Sequence, residues 1–192
     1  ETTDAPLVVG GGLRVVSLLP ADNAVDVGGN ATIAVVMNSV PEGLSGFNVS
    51  VSLSDPSVGE ITGVAYPDWA MLPETSMLPA DSVHLQAVDL NKSVEAGAEN
   101  VTFCTLTVRG DAPGETNLTV VPAMIDDDAG GRYAPETTDA TLVVEGGEVL
   151  TADFTADLIS GPAPLVVQFT DTSIGTTCMW NWTFGDGATS GD

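Results

Sequence analysis

Apolar and polar residues alternate with a period of two along several stretches of the chain. In the stretch FNVSVSLS at positions 47–54, every odd position is apolar and every even position is Asn or Ser. The same spacing places Ile33, Val35 and Met37 on one side of an earlier stretch, and it recurs at 117–121. A period of two is typical of half-buried β-strands, and clusters of Gly, Pro and Asp separate these stretches as turns do. Since no convincing helical pattern competes, the sequence predicts an all-β fold.

An internal repeat indicates how the chain is organised. Residues 1–12 read ETTDAPLVVGGG and residues 136–147 read ETTDATLVVEGG, with ten identities in twelve positions, although the sequences that follow the two copies differ. We therefore expect the same terminal strand to close two modules, as in a slice of a longer tandem array. On this interpretation residues 1–12 are the closing strand of a preceding module, and residues 136–144 close the module within the chain.

The first copy then lacks a groove of its own kind within the chain. Leu7, Val8 and Val9 would need a groove on another module or another molecule, since an unpaired apolar strand in water is an aggregation site. Two arrangements remain equal at this point. Copies of the chain pack end to end through strand addition, building a filament or layer, or the first copy continues in line from a longer chain.

The charge of the chain excludes some partners. Only 4 residues are Lys or Arg against 27 Asp or Glu, giving a formal net charge of -23. Such a charge repels phosphate backbones and anionic lipid headgroups, so we expect neither nucleic acid nor direct membrane contact. Divalent cations are attracted instead, and the triplet Asp126-Asp127-Asp128 before two glycines offers the oxygen ligands that Ca²⁺ prefers. Asp126 and Asp128 are therefore candidate ligands of a structural calcium, with a solvated acidic turn as the alternative.

The asparagines carry a modification signal. Six of the eight begin an Asn-x-Ser/Thr sequence without Pro at the middle position, whereas chance predicts about one or two. This enrichment predicts N-glycosylation and hence an extracellular, cell-surface protein. The pattern places Asn48, Asn117 and Asn181 on the faces opposite the apolar side chains. The six candidate sites are Asn30, Asn48, Asn91, Asn100, Asn117 and Asn181.

Other reactive side chains offer little support for catalysis. His84 is the single histidine, and it has neither a catalytic motif around it nor the cysteine spacing of a zinc site. Cys104 alternates with apolar residues, which favours a buried free thiol over a disulfide, while Cys178 is harder to place. Trp69 is either a sugar-binding platform or part of the packing at the end of a sandwich. We predict no catalytic residues and no cofactor other than the calcium considered above.

Residues 13–147 resemble a cohesin-like module. The resemblance rests on the turn in VDVGGNATIAVVM, on LSGFNVSVSLSDPSVGEI with its Gly-Phe entry and Asp-Pro exit, on the strand VTFCTLTV, and on the closing GETNLTV and TLVVEG. It covers about 130 residues. It implies a jelly-roll-like β-sandwich.

Residues 148–192 resemble the first half of a PKD domain, which is an immunoglobulin-like sandwich of extracellular proteins. The matching motifs are FTAD, GPAPLVVQFTDTS and WNWTFGDG, in which Trp180, Trp182 and Phe184 are expected to alternate inward. The later strands of such a domain do not follow, since immunoglobulin-sized sandwiches need about 100 residues. We therefore expect an incomplete sandwich here.

Together the two resemblances imply a function. Cohesin-like and PKD modules in tandem are similar to acidic surface glycoproteins of methanogenic archaea, which implies a non-catalytic structural or adhesive part of a cell-surface filament, sheath or layer. Its partners would be copies of itself, neighbouring surface modules or glycans. The alternative is a cohesin-type binding module for a dockerin or a glycan. A dockerin would require an apolar patch on an exposed sheet face, and six sequons spread over the module leave little bare face for it. A third class, part of a large secreted enzyme, would need its catalytic domain elsewhere.

Overall fold

A computed structural model describes residues 12–147, 150–175 and 179–191. The chain divides into two compact units, and the division lies between Gly146 and Gly147. Every regular element among the described residues is a β-strand, as the period-two pattern predicts. Within that part of the chain, no helix is long and apolar enough to cross a membrane.

The first unit is a sandwich of two sheets. The five-stranded sheet has the order β10-β1-β3-β8-β5, and the six-stranded sheet has the order β2-β11-β9-β4-β7-β6. The strands are β1 (Val15–Pro20), β2 (Ala24–Asp26), β3 (Asn30–Val40), β4 (Gly46–Leu53), β5 (Gly59–Ala65), β6 (Met71–Thr75), β7 (Ser82–Val88), β8 (Ala98–Gly110), β9 (Gly114–Asp126), β10 (Glu136–Thr138) and β11 (Ala140–Glu145).

The core lies between the two sheets. Alternate residues of each central strand point inward, and burying each large aliphatic side chain contributes about 1.5–3 kcal/mol. The predicted inward sets of β3, β4 and β9 are confirmed as buried. They are Ile33, Val35 and Met37, then Phe47, Val49, Val51 and Leu53, and finally Leu118 and Val120.

The last segment of the first unit passes from one sheet to the other. Strand β10 pairs in parallel with β1, with Val15 opposite Glu136. Strand β11 pairs in parallel with β2 on one side, with Val144 opposite Val25, and antiparallel with β9 on the other. The second copy of the repeat therefore closes the sandwich that precedes it, as its sequence predicts. The first copy, apart from Gly12, lies outside the described residues.

Bulges modify the simple alternation. In the β3–β8 pair, Cys104 lies opposite Val35 but Thr102 lies opposite Val36, so Phe103 is an extra residue. An extra residue of this kind lets two successive side chains point to the same face. Phe103 and Cys104 are accordingly both fully buried.

The second unit contains two small antiparallel sheets. Strands β12 (Phe154–Ala156) and β13 (Phe169–Asp171) form one, and β14 (Asn181–Thr183) and β15 (Thr189–Gly191) form the other. Phe154, Phe169, Trp182 and Phe184 cluster with ring centroids 5.7–6.1 Å apart. The PKD assignment of this unit stays a prediction.

Trp180 does not join that cluster. Its Nε1 donates a hydrogen bond of 2.8 Å to Asp171 Oδ2. Hydrogen bonds from Ser173, and then from Trp180, hold the pKa of the Asp171 carboxyl below its usual value. Trp180 is 37% exposed, so it does not turn inward as expected, and its indole N–H is held by the Asp171 carboxylate instead.

Candidate binding face on the six-stranded sheet

The outer face of the six-stranded sheet is built from the polar half of the alternating pattern. On β4, Asn48, Ser50 and Ser52 point away from the core and are half-buried between the neighbouring strands. Ser50 lies between His84 of β7 and Val121 of β9. Because β4 is a central strand, these residues lie in the middle of the outer face.

A chain of amide and carboxylate groups crosses this face. Gln86 Nε2 donates a hydrogen bond of 2.6 Å to Glu74 Oε2. Asn48 Nδ2 lies 3.5 Å from Gln86 Oε1, at the long limit for such a bond. Asn48 Oδ1 is buried and has no hydrogen-bond partner among the described residues. An unsatisfied buried acceptor costs about 1–3 kcal/mol, so the centre of this face carries an uncompensated polar group.

Leu72 holds an unusual position at the edge of this face. In the β6–β7 pair, Met71 lies opposite Val88 and Glu74 lies opposite Gln86, so Leu72 and Pro73 form a bulge. Leu72 has a φ of 48°, in the left-handed region that bulky residues rarely adopt, and its side chain is 71% exposed. The fold therefore holds a strained backbone at a residue that presents an apolar side chain to solvent.

A shallow pocket joins these features. It has a volume of about 270 Å³ and is lined by Leu72, Asn48, Gln86 and Met124, among others. Met124 and Val121 of β9 are 37% and 56% exposed. Exposed apolar side chains thus lie on both sides of a polar strip that has an unpaired acceptor.

The opposite face of the sandwich has a different chemistry. The central strands β3 and β8 of the five-stranded sheet present threonines outward, with Thr32 opposite Thr107. At its edge Arg109 forms an ion pair with Glu60 at 2.8 Å. The centre of that face is therefore formed by short hydroxyl side chains, with Leu19 of β1 as an exposed apolar residue toward one edge, so the six-stranded sheet is the better candidate.

The six candidate glycosylation sites are distributed unevenly. Asn48 is half-buried at the centre of the face described above. Asn117 is exposed on the same sheet, where its Oδ1 accepts a hydrogen bond of 2.7 Å from Thr141 Oγ1. The other four are exposed and lie elsewhere, so the face carries fewer sites than six sequons spread over the module suggest. Those four are Asn30 and Asn100 of the five-stranded sheet, Asn91 of the β7–β8 loop, and Asn181 of the second unit.

The carboxylates of the acidic turn after β9 accept hydrogen bonds from neighbouring residues of the same turn. Asp127 Oδ1 accepts hydrogen bonds from the backbone N–H groups of Ala129 and Gly131, at 2.9 and 2.7 Å. Asp126 Oδ1 accepts a hydrogen bond of 2.9 Å from Arg132 Nε.

Asp128 is held by a different set of contacts. Its Oδ1 lies 3.1 Å from Ser45 Oγ. Its Oδ2 leaves no room for a side chain at Gly43, because a Cβ there would lie 2.7 Å away. Among the described residues, no group of three or more His, Cys, Asp or Glu side chains is placed to hold a metal ion. The calcium assignment of Asp126 and Asp128 stays a prediction.

Two other residues singled out from the sequence, Trp69 and Cys104, are packed against or within the core. Trp69 packs edge-on against Phe47, with centroids 6.1 Å apart, and its Nε1 donates to Thr102 O at 3.2 Å. The packing alternative for Trp69 is therefore confirmed. Cys104 is a buried free thiol, and burial raises its pKa to about 12. Cys178 lies outside the described residues.

His84 is exposed, and its Nδ1 lies 3.4 Å from Ser50 Oγ. A serine next to a histidine is part of a nucleophilic site only when a third group orients the imidazole. In the part of the chain that the structure describes, no carboxylate is hydrogen-bonded to His84. Glu74, on the neighbouring strand β6, accepts a hydrogen bond from Gln86 instead. The pair is therefore a surface contact between two neighbouring strands.

Comparison with solved structures identifies the architecture of the first unit. A type I cohesin from Pseudobacteroides cellulosolvens is 15% identical in sequence and has a TM-score of 0.57. The match covers 70% of this chain and 93% of that cohesin. The cohesin of a cohesin–dockerin complex from Clostridium thermocellum matches with 14% identity, 70% and 94% coverage and a TM-score of 0.58. A non-cellulosomal cohesin from Archaeoglobus fulgidus matches with 13% identity, 69% and 91% coverage and a TM-score of 0.55.

The first unit has the cohesin fold. The cohesin-like sandwich spans about 70% of the chain, as the sequence resemblance predicted. At 10–15% identity the likeness concerns the fold alone. No protein-family model matches the chain, and no curated protein does.

Sequence patterns predicted the outward positions of this face but not its distinctive contacts. The outward positions of β4 were predicted, whereas the contacts of Asn48 with Gln86 and the bulge at Leu72 were not. The signal for the bulge is weak, because Leu72 and Pro73 show no glycine, the usual residue for a left-handed position. Cross-strand partners such as Gln86 depend on register, which one sequence does not reveal.

Proposed function

We propose that residues 12–147 form a non-catalytic protein-binding module of an extracellular protein, and that a partner docks on the outer face of the six-stranded sheet. The observation that carries this proposal is the pocket beside Leu72. There a strained, exposed apolar residue adjoins the unpaired acceptor of Asn48. Strain of this kind costs about 1–3 kcal/mol and is concentrated at functional positions, where the surface it presents is used.

The charge of the face indicates the chemistry of the partner. Glu74 lies on the strip, and Asp139, between β10 and β11, lies beside β9, where its Oδ2 accepts a hydrogen bond of 3.3 Å from Thr119 Oγ1. With a net charge of -23 on the chain, a partner that carries Lys or Arg at its rim is favoured in rate and in specificity. A dockerin-like module is the partner class suggested by the likeness to a cohesin in a cohesin–dockerin complex.

Retention of proteins on the immobilised chain tests this function. We expect the full chain to retain a defined protein from the extracellular fraction of the producing cells. A Leu72→Asp variant should lose it, because the substitution places a charge where an apolar contact is buried. The matched control is Leu19→Asp, an exposed leucine of the five-stranded sheet, which should retain the protein. Equal retention by both variants would contradict the proposal.

A structural role in a glycosylated surface layer is the second candidate. It is favoured by the five exposed sequon asparagines, at positions 30, 91, 100, 117 and 181. Intact-mass measurement of the native protein tests it, and several added glycans are expected. A mass equal to that of the bare polypeptide would remove the main support for this role while leaving the binding face unaffected.

A further inference from the structure

Asn48 differs from the other sequon asparagines of the first unit in its place on the sheet. It is the third residue of the eight-residue strand β4, and it is paired on both sides, with Gln86 of β7 and with Met124 of β9. Asn30, in contrast, is the first residue of β3, and Asn91 lies in the loop between β7 and β8. The sequon of Asn48 is therefore enclosed by neighbouring strands, whereas sequons that accept glycans are typical of surface loops.

The amide of Asn48 lies against its neighbours. Its Oδ1 has almost no exposed surface, and its Nδ2 lies 3.5 Å from Gln86 Oε1. The side chain as a whole is half-buried, whereas the other four sequon asparagines of the first unit are exposed. These four are Asn30, Asn91, Asn100 and Asn117.

The hydroxyl residue of the same sequon is enclosed as well. Ser50 is half-buried between His84 and Val121, and its Oγ lies 3.4 Å from His84 Nδ1. In the sequon of Asn91 the corresponding residue, Ser93, is exposed. An enzyme that recognises both ends of a sequon therefore finds neither end free at position 48.

Strand β4 does not leave the sheet by itself. It pairs along its length with β7 and β9, and its inward residues Phe47, Val49 and Val51 are 3%, 0% and 0% exposed. A strand of this kind opens only when the core opens, which in a stable domain involves a fraction of about 10⁻³ of the molecules or less. Local fluctuation therefore does not expose this sequon.

Glycosylation requires access to the amide nitrogen. A bond forms between Nδ2 and C1 of the sugar, the bond from C1 to the carrier phosphate breaks with its electron pair going to the phosphate, and one proton leaves Nδ2. At Asn48 the sugar would have to enter the pocket that Leu72 and Met124 also line. At Asn117 the side chain is exposed, and the contact with Thr141 engages Oδ1, leaving the nitrogen accessible.

We propose that the fold closes Asn48 to N-glycosylation, while the four exposed sequons of the first unit stay open to it. The six sequons of the sequence are thus not equivalent. Position 48 carries an acceptor sequence that the folded protein does not present, because the register of β4 with β7 and β9 encloses it.

The closure of Asn48 also bears on docking, and this link rests on the function proposed above. A sugar on Asn48 would occupy the pocket beside Leu72, where a partner is proposed to dock. Asn117 lies seven residues from Met124 along β9, roughly 24 Å away in an extended strand, so a sugar there begins outside the pocket. Keeping Asn48 bare therefore leaves the centre of the face free for a protein.

Enzymatic transfer of glucose to the folded chain tests this closure. The full chain is incubated with a soluble N-glycosyltransferase and UDP-glucose, and each sequon is read by mass spectrometry of proteolytic peptides. Synthetic peptides of residues 44–54 and 114–124 are the unfolded references. We expect Asn117 to be modified within about 10-fold of the rate of its peptide, and Asn48 at least about 100-fold more slowly than its peptide, because β4 opens so rarely. Ser50→Thr, which gives Asn48 the same hydroxyl residue as the Asn117 sequon, should leave Asn48 equally unmodified.

Three results would overturn the proposal. One is modification of Asn48 in the folded chain at the rate of its peptide. Another is a peptide 44–54 that is not modified, since the sequence and not the fold would then exclude Asn48. The third is a folded chain that is unmodified at Asn117, since exposure would then not decide the outcome. None of these measurements involves a partner, so a chain with Asn48 closed that retains no protein would contradict the proposed function alone.

Discussion

The rings of Phe47 and Phe103 stack with their centroids 4.5 Å apart and their planes within 8° of parallel. Phe47 comes from β4 of the six-stranded sheet and Phe103 from the bulge of β8 in the five-stranded sheet, so the contact joins the two layers. Both side chains are almost fully buried. The bulge is what brings Phe103 into the core, and the stacked pair joins the two sheets beneath the proposed binding face.

Replacing Phe103 should therefore be costly. We expect Phe103→Ala to lower the free energy of unfolding by about 3–5 kcal/mol, because it removes buried area and leaves a cavity. Urea denaturation measures the change. Together with Phe47→Ala it gives a double-mutant cycle, in which a coupling of about 0.5–1.5 kcal/mol is expected for the stacked rings. Additive effects would contradict a direct contribution from the pair.

Cys104 should be unreactive in the folded protein. Its thiol has a pKa of about 12, so it is protonated at pH 8 as well as buried. In a Cys178→Ser variant, which isolates this thiol, Ellman's reagent should find almost no reactive thiol before unfolding and about one after it. Rapid labelling under native conditions would show that the core around Cys104 opens easily.

The same thiol makes stability depend on alkaline pH. The folded pKa lies above the usual value of 9.0, so the unfolded chain binds fewer protons between these values. The contribution is fully present below pH 9 and is lost as pH rises toward 12. A Cys104→Ala variant should show a shallower alkaline loss of stability in urea titrations. The pKa values of Tyr66 and Tyr133 are raised by burial in the same direction, so part of the loss should remain.

We expect Leu72 to contribute to binding and not to the stability of the fold. Replacing it with glycine relieves a left-handed φ of 48° that costs about 1–2 kcal/mol for an L-residue, against a glycine entropy cost of about 0.5–1 kcal/mol. Leu72→Gly should therefore unfold at an equal or slightly higher urea concentration. Leu90→Gly is the control, since Leu90 is 62% exposed and its φ is not left-handed, and it should be destabilising. Destabilisation of both variants alike would argue against strain at Leu72.

Calcium binding by Asp126 and Asp128 is testable by mass action. Ligands that bind only the folded state raise Tm as their concentration increases. If Asp126 and Asp128 bind calcium, Tm should therefore rise with the Ca²⁺ concentration, and this rise should vanish in Asp126→Ala. Asp139→Ala, which removes a carboxylate outside the turn, serves as the control. No change in Tm at millimolar Ca²⁺ would leave the turn as a set of internal hydrogen bonds and the ion pair with Arg132.

Much of the fold could be predicted from the period-two pattern of single strands, whereas the candidate binding face depends on β-bulges and on the register between strands. Ile33, Phe47 and Leu118 could be assigned to the core because a period of two reports the burial of one strand face. The closing strand could be assigned from its repeat. Phe103 was not identified as part of the core, since a bulge shifts the period by one residue and leaves no mark in the sequence. Leu72 was missed for the same reason, and its partners Asn48 and Gln86 come together only through strand register.

The central claim is that a partner docks on the six-stranded sheet, and one pair of variants tests it most directly. Ser50→Arg places a large charge at the centre of that face, and Thr107→Arg does the same at the centre of the opposite face; both positions are half-buried on central strands. The affinity of the retained partner for each should be measured by titration calorimetry, with circular dichroism confirming the fold. We expect Ser50→Arg to weaken binding by more than about 30-fold, equal to about 2 kcal/mol, and Thr107→Arg to change it by less than about 3-fold. Full affinity in Ser50→Arg, or a loss confined to Thr107→Arg, would contradict the account.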